Sequence, residues 1–116
     1  MGRSKKDTQK VYSLRITEYA LQNLSEITGY IAFINHEPLN AIRVGDEIFK
    51  TIDRIHFNPT YFPECQDIPT TNKIYRKAIC LTWLIIYKIK PLEIVILGII
   101  HQHRRPSNIK KIRRLK

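Results

Sequence analysis

KIYRKAICLTWLIIYKIKPLEIVILGIIH, residues 73–101, is the stretch that decides the fold. It divides into three runs with strand periodicity, Lys73–Cys80, Trp83–Ile89 and Glu93–His101, joined by links of two or three residues. Links this short connect antiparallel neighbours, so the runs predict a β-meander. The last run contains EIVILGII, which is apolar at successive positions. That pattern is typical of a central strand covered on both faces.

Upstream of the meander, two amphipathic segments predict a pair of helices. Thr17 is a candidate N-cap for the first. Its apolar residues recur at helical spacing and form one stripe: Leu21, Leu24, Ile27, Ile31 and Ile34. Pro38 is placed to open the second helix, and Asn58-Pro59 ends it. The second helix has its own apolar face, formed by Ala41, Val44, Ile48, Ile52 and Ile55. Because the link is short, the helices form an antiparallel hairpin.

The full order of elements is β-α-α-β-β-β. Val11–Ile16 alternates and predicts a first strand, whereas residues 58–72 contain three prolines and predict an irregular loop. The fold class is therefore α+β, with a helical hairpin packed on one face of a twisted antiparallel sheet. The other sheet face is left partly open, and a functional site could form there.

Positive charge is concentrated at the two ends of the chain. The formal net charge is +10, yet residues 11–101 contain equal numbers of acidic and basic side chains. This distribution indicates a globular body, 11–106, between a disordered basic segment, 1–10, and a basic tail, 107–116. Apolar residues recur every three positions in the tail, so it could be an amphipathic helix that docks on the core or folds on a partner. A polyanion such as nucleic acid is the expected partner of its basic residues: Arg105, Lys110, Lys111, Arg113 and Arg114.

Several classes of protein are excluded by composition and spacing. No apolar run is long enough to cross a membrane, and the basic N-terminus lacks the apolar region of a secretory signal. We therefore expect a cytoplasmic protein in which Cys65 and Cys80 are free thiols. The cysteines and histidines are not spaced like a metal site, and no Gly-rich or hydrolase motif predicts a cofactor or a nucleophile.

Arg76 is the most unusual residue of the predicted sheet. Strand alternation places it on the same face as Ile74, Ala78 and Cys80. An arginine among apolar neighbours must bind an anion or reach a polar partner. It could bind a phosphate, or it could form a structural ion pair with a helix acid such as Glu47.

His101 and His103 lie where the last strand ends, and strand alternation puts them on the same face if the strand continues that far. Arg104 and Arg105 follow them. Histidine exchanges protons near neutral pH, and arginine binds phosphate, so the group has the residue types for RNA cleavage through the 2′-hydroxyl. The alternative is two surface histidines in a basic tail. Tyr87 could stack on a base or donate to a phosphate, although such residues are more often part of a core.

The order of these segments resembles the RelE/ParE family of toxins from bacterial type II toxin–antitoxin systems. The resemblance covers residues 11–106, and no single motif in it is specific. It rests on TEYALQNLSEITGYIAF, PLNAIRVGDEIFKTIDRI, IYRKAI, WLIIYKI, EIVILGIIH and RRP.

The resemblance implies the fold predicted above and two kinds of target. RelE-like toxins cut mRNA in the ribosomal A site with arginines, lysines and a varied set of acid–base residues, whereas ParE-like toxins poison DNA gyrase. Arg76 matches the strand arginine of the family, Arg104 lies near the arginine after the last strand, and His101 and His103 lie where several members have a catalytic residue. The loop 59–72 lacks the lysine and glutamate cluster of RelE-like members, and histidine followed by arginine also occurs in ParE-like members.

Three functions are therefore expected in order. The first is a ribosome-dependent mRNA endonuclease with Arg76, His101, His103 and Arg104 as catalytic residues. The second is a non-enzymatic gyrase poison, and the third is a plain nucleic-acid-binding module. The family also implies a cognate antitoxin, for which the groove between the helical hairpin and the sheet, together with the basic tail, is the expected receptor.

Overall fold

A computed structural model describes residues 11–103 and 106–112 as an α+β fold. The predicted disorder of residues 1–10 lies outside this range. The elements are β1 (Ser13–Ile16), α1 (Glu18–Gly29), a π-helical segment (Tyr30–Ile34), α2 (Pro38–Phe57), β2 (Tyr75–Cys80), β3 (Trp83–Ile89), β4 (Glu93–His101) and α3 (Pro106–Ile112). The predicted order and fold class are confirmed, and α3 lies where the tail was expected to form an amphipathic helix.

The sheet is mixed rather than wholly antiparallel. Its strand order is β1-β4-β3-β2, and β1 runs parallel to β4 with Ser13 opposite Glu93. The meander β2-β3-β4 is antiparallel as predicted. The prediction for β1 was incomplete because strand direction depends on how the helical hairpin returns the chain to the sheet, which local periodicity does not encode.

Thr17 connects the start of α1 to the centre of the sheet. Its hydroxyl accepts the N–H of Ala20 at 3.1 Å, which confirms the predicted cap, and donates to the carbonyl of Leu97 at 3.1 Å. At the other end of the helix the π-helical segment alters the register of the predicted apolar stripe. Ile31 remains buried, whereas Ile34 is exposed, and so is Leu21 near the start of α1. The wider π turn accommodates an additional residue, so Ile34 no longer faces the sheet.

The helix-facing core lies between the hairpin and one face of the sheet. Residues from both helices meet side chains from three strands there. Its principal members are Ala20, Val44, Ile48, Ile52, Ile55, Ala78, Ile85, Tyr87, Ile94 and Ile96. Pro38 occupies the first turn of α2 as predicted. The buried face of that helix extends from Ala41 to Ile55.

A second core covers the opposite sheet face. The prediction that this face is partly open is therefore wrong. Cys65 and Ile68 from the loop, and Ile109 and Ile112 from α3, are all buried against it. The strand residues beneath them are Tyr75, Leu84, Ile86, Val95, Leu97 and Ile100. Both faces of β4 are therefore buried, which explains its continuous apolar run.

The loop between α2 and β2 also protects the outer edge of β2. The N–H of Cys65 donates to the carbonyl of Tyr75 at 2.8 Å, and the N–H of Lys77 donates to the carbonyl of Pro63 at 3.1 Å. These bonds occupy backbone groups that an edge strand otherwise presents to other chains. Cys65 and Cys80 are buried and free, as predicted. Within residues 11–103 and 106–112, no helix has the length and apolarity needed to span a membrane.

Candidate functional site

Arg76 binds backbone carbonyls on the loop that precedes β2. Its Nε donates to the carbonyl of Lys73 at 2.9 Å, and its Nη1 donates to the carbonyls of Thr60 at 3.0 Å and Phe62 at 2.7 Å. The suggested ion pair with Glu47 is not formed, because Glu47 faces Lys50 with 3.6 Å between Oε2 and Nζ. Arg76 thus finds polar partners without an acid, and it fixes the loop against the sheet.

Tyr87 is a core residue. Its side chain is fully buried, its hydroxyl donates to the carbonyl of Pro59, and Phe62 packs edge-on against its ring with 6.5 Å between centroids. Burial raises the pKa of this phenol well above its usual value. Since neither face of the ring is accessible, the predicted base-stacking role of Tyr87 is contradicted by the structure.

Arg76 and Tyr87 act on the loop as a pair. They lie directly opposite each other on β2 and β3, and we call them the carbonyl clamp. Together they bind carbonyls at Pro59, Thr60 and Phe62. The clamp defines where the loop leaves α2 and hence how it crosses onto the second sheet face.

His101 is the last residue of β4 and is held by two neighbours. Its Nδ1 accepts the N–H of His103 at 3.2 Å, and its Nε2 lies 2.8 Å from Oγ1 of Thr82. Accepting at Nδ1 places the proton of the neutral ring on Nε2, which then donates to Thr82. The two imidazole rings are 5.2 Å apart between centroids, and both are exposed. The structure therefore brings His101 and His103 together, although His103 lies in a turn after the strand and not on a strand face.

The strand register places the clamp and the histidines at different ends of the sheet. Arg76 is opposite Tyr87, whereas His101 is opposite Trp83, which in turn faces Cys80. From Arg76 to Cys80 there are four residue steps, or roughly 13 Å at about 3.3 Å per step. The predicted single site that combines Arg76 with His101 is therefore not formed.

The remaining predicted residues belong to the tail or to its approach. Arg104, Arg105, Arg113 and Arg114 lie outside the described residues. Lys110 and Lys111 are exposed on α3, and Ile109 and Ile112 of the same helix are buried. The predicted amphipathic helix is thus present over this turn and docks on the core, with its basic side facing outward.

A groove of about 640 Å³ lies between the hairpin and the end of the sheet that carries His101. Polar side chains from the hairpin line one wall, and residues of β3, β4 and their turns line the other. The principal lining residues are Glu26, Tyr30, Asn35, Asn40, Arg43, Thr82, Trp83 and His101. A groove in this region was predicted from the sequence, and three apolar residues that line it, Ile27, Ile31 and Val44, belong to the predicted helix faces. Its polar hairpin residues were not predicted, because isolated polar residues on helices are routinely solvent-exposed.

Helices packed against a four-stranded mixed sheet define the class of the RelE/ParE fold. Within that class, residues 14–106 match the family model described as the ParE toxin of the type II toxin–antitoxin system, parDE. The chain therefore belongs to the ParE toxin family, and the predicted resemblance is confirmed. Membership in this family also supports a cognate antitoxin as a partner.

A solved structure shows the same fold. The chain is similar to a chain of the chromosomal ParDE TA system from P. aeruginosa, with a TM-score of 0.62 and 20% sequence identity. The alignment covers 78% of this chain and 96% of the other. No curated protein matches the sequence.

Proposed function

We propose that this toxin acts by binding DNA gyrase and stalling it, without cutting nucleic acid itself. The observation that carries this proposal is the carbonyl clamp. Arg76 matches the strand arginine of the family and Tyr87 is the strand tyrosine expected to contact nucleic acid, and here the side chains of both bind the loop. Membership in the ParE family supports the same target.

The covered sheet face is a second argument for a binding function. Cys65, Ile68, Ile109 and Ile112 occupy the sheet face that was predicted to be partly open and available for a functional site. An RNA strand could reach that face only by displacing a packed loop and helix. The side of α3 that remains available carries Lys110 and Lys111, which suits a surface that docks on a nucleic-acid-bound enzyme.

The decisive experiment compares two targets with one protein preparation. We expect inhibition of DNA supercoiling by gyrase and accumulation of a trapped complex with cleaved DNA, whereas mRNA on programmed ribosomes stays intact. Intact supercoiling activity together with new mRNA ends would overturn the proposal. The single variants Lys110→Glu and Lys111→Glu should each weaken gyrase inhibition, and the surface variant Lys73→Glu, with the same change in net charge, is the matched control.

Ribosome-dependent mRNA cleavage remains the second candidate because of the histidine pair. The short distance between Nε2 of His101 and Thr82, and the adjacent ring of His103, form an exposed group that could exchange protons. The separate variants His101→Ala and His103→Ala test it. We expect both to keep full toxicity, whereas loss of toxicity with a preserved fold in either variant would favour catalysis.

The groove is proposed as the surface that receives the antitoxin. It is large enough for several side chains of a peptide, and it combines apolar walls with amides, Glu26 and Arg43. The variant Tyr30→Ala should weaken binding of the antitoxin in titration calorimetry. Tyr61→Ala is the control, since Tyr61 is exposed but does not line this groove. Equal affinity of both variants would contradict the assignment.

A further inference from the structure

The outer side of α2 carries large apolar residues that do not contact the core. Leu39, Ile42, Phe49 and Phe57 are 82%, 62%, 47% and 76% exposed. At about 100° per residue they lie within an arc of roughly 80° on the helix, opposite the buried face of Val44, Ile48 and Ile55. Exposed apolar residues aligned over a whole helix indicate an interaction surface. We call it the outer stripe.

Charges of both signs accompany the outer stripe. Asp46 and Asp53 fall within the same arc, and Arg43, Lys50 and Arg54 follow along one edge of it. All five side chains are exposed. The acids make the stripe unlike the strongly basic ends of the chain, and they disfavour a polyanion as its partner.

The order of these residues is self-complementary. When two copies of α2 are placed antiparallel with their outer stripes in contact, and the two-fold axis passes between them at the level of Ile48, residues equally distant from Ile48 along the helix come opposite each other. Leu39 then faces Phe57 of the second copy, and the same rule pairs Arg43 with Asp53 and Asp46 with Lys50. Ile42 comes opposite Arg54, whose alkyl stem can cover it. Phe49 lies next to the axis, where it meets its own symmetry equivalent. Two-fold contacts require this kind of matching between a surface and itself.

We propose that the outer stripe of α2 is a homodimer interface, with a second copy of this chain as its occupant. The dimer then has four pairs of opposite charge, two on each side of the axis. Leu39 and Phe57 meet at both ends, and the two copies of Phe49 meet near the centre. The proposal goes beyond the toxic function and does not depend on the identity of the target. The proposed interface lies on the side of α2 that faces away from the sheet, so the packing of the helix-facing core is unchanged on association.

The expected dimer is weak and reversible. A helix of this length is about 30 Å long and about 10 Å wide, so the footprint is a few hundred Å² per copy, below the roughly 800 Å² of a standard interface. The charged chain ends are screened from each other beyond about 8 Å at physiological salt. Association is therefore expected at micromolar to millimolar concentrations of the chain.

Charge reversal tests the pairing directly by sedimentation equilibrium of the full chain. Asp46→Lys places lysine opposite Lys50, and Lys50→Glu places glutamate opposite Asp46. We expect each single variant to raise the dimer dissociation constant about tenfold or more, because like charges then face each other twice. The double variant Asp46→Lys/Lys50→Glu restores opposite charges and should dimerise like the wild type.

A mixture of the two single variants gives an independent readout. Each fails to pair with itself, but the Asp46→Lys chain presents two lysines to the two acids of the Lys50→Glu chain. An equimolar mixture should therefore form heterodimers. Lys73→Glu on a different surface is the control for the change in net charge of Lys50→Glu, and the double variant, whose net charge equals that of the wild type, controls for both. Circular dichroism verifies that every variant is folded.

Two results would overturn the proposal. One is a wild-type chain that stays monomeric up to millimolar concentration. The other is an equal dissociation constant for the wild type, both single variants and the double variant. If the wild type is monomeric and the single variants instead weaken antitoxin binding, the outer stripe belongs to the antitoxin and the homodimer is rejected.

Discussion

At the scale of single residues, Arg76 shows how one cation can organise a loop without an acid. Arg76→Ala removes donors to three carbonyls, so we expect the free energy of unfolding to fall by about 2–3 kcal/mol. Urea denaturation measures this change. Arg76→Lys should recover part of the loss, because an ammonium donates but lacks the planar fork. Unchanged stability with lost toxicity in Arg76→Ala would contradict a structural role.

Glu93 gives stability a pH dependence at the junction of β1 and β4. Its carboxylate accepts a hydrogen bond from Nε of Arg15 at 3.1 Å and lies 3.6 Å from Nζ of Lys90. The bond from Arg15 is the main reason why the pKa of Glu93 lies below its usual value. A lowered folded-state pKa stabilises the fold above the usual pKa of glutamate, and this contribution is lost as the pH falls through the folded value.

The variant Glu93→Gln checks that sign. At neutral pH it should be slightly less stable than the wild type, and the difference should shrink as the pH is lowered through the acid range. Thermal unfolding at several pH values measures it. A difference that grows on acidification would show that the group contributes in the opposite direction.

At the scale of elements, α3 is part of the domain rather than an appendage. Ile109 and Ile112 are buried in the second core, and replacing a buried isoleucine with alanine costs about 2–5 kcal/mol. We expect Ile109→Ala to destabilise the chain by an amount in that range, measured by urea denaturation. Lys110→Ala on the exposed side of the same helix is the control and should change stability by less than about 0.5 kcal/mol. Equal effects of the two variants would mean that α3 does not pack as described.

The elements also show what could be predicted from the sequence. The meander and the hairpin were predicted within a few residues because their periodicities are strong and local. The parallel pairing of β1 and the identity of the segments that cover the second sheet face could not be predicted, since both depend on contacts between distant segments. The run EIVILGII did indicate that both sheet faces are covered, because a strand that is apolar on both faces requires one packed layer on each side of the sheet. What the run cannot say is which segment supplies the second layer.

The candidate site was harder to predict than the fold. Arg76 and His101 were assigned to one site from their residue types, but the register separates them along the sheet. Arg76 looked like an anion site because its backbone partners lie on a loop without periodicity. His101 and His103 were correctly placed together, since two residues apart in a turn are close in almost any conformation. Sequence spacing thus predicted that His101 and His103 are close together. Whether residues from different strands share one site could be determined only from the tertiary structure.

At the scale of the whole molecule, the net charge of +10 predicts salt-dependent binding to any duplex DNA. Fluorescence anisotropy with a duplex of arbitrary sequence measures the slope of log affinity against log salt. We expect Lys110→Glu/Lys111→Glu to reduce that slope by about two, because each lysine that contacts a phosphate contributes about one. A slope equal to that of the wild type would mean that these lysines do not contact DNA.

The parallel pairing of β1 with β4 has a consequence for biosynthesis. Thr17 and Leu97 are 80 positions apart yet hydrogen-bonded, so the first strand has no partner until the last strand has been translated. Contacts of such long range make folding a late event, completed only when the chain is nearly finished. A chain that terminates prematurely before β4 lacks the middle of the sheet and the anchor of α1. Such a fragment should be degraded as an unfolded polypeptide. Interrupted translation of this mRNA should therefore release no partly active toxin.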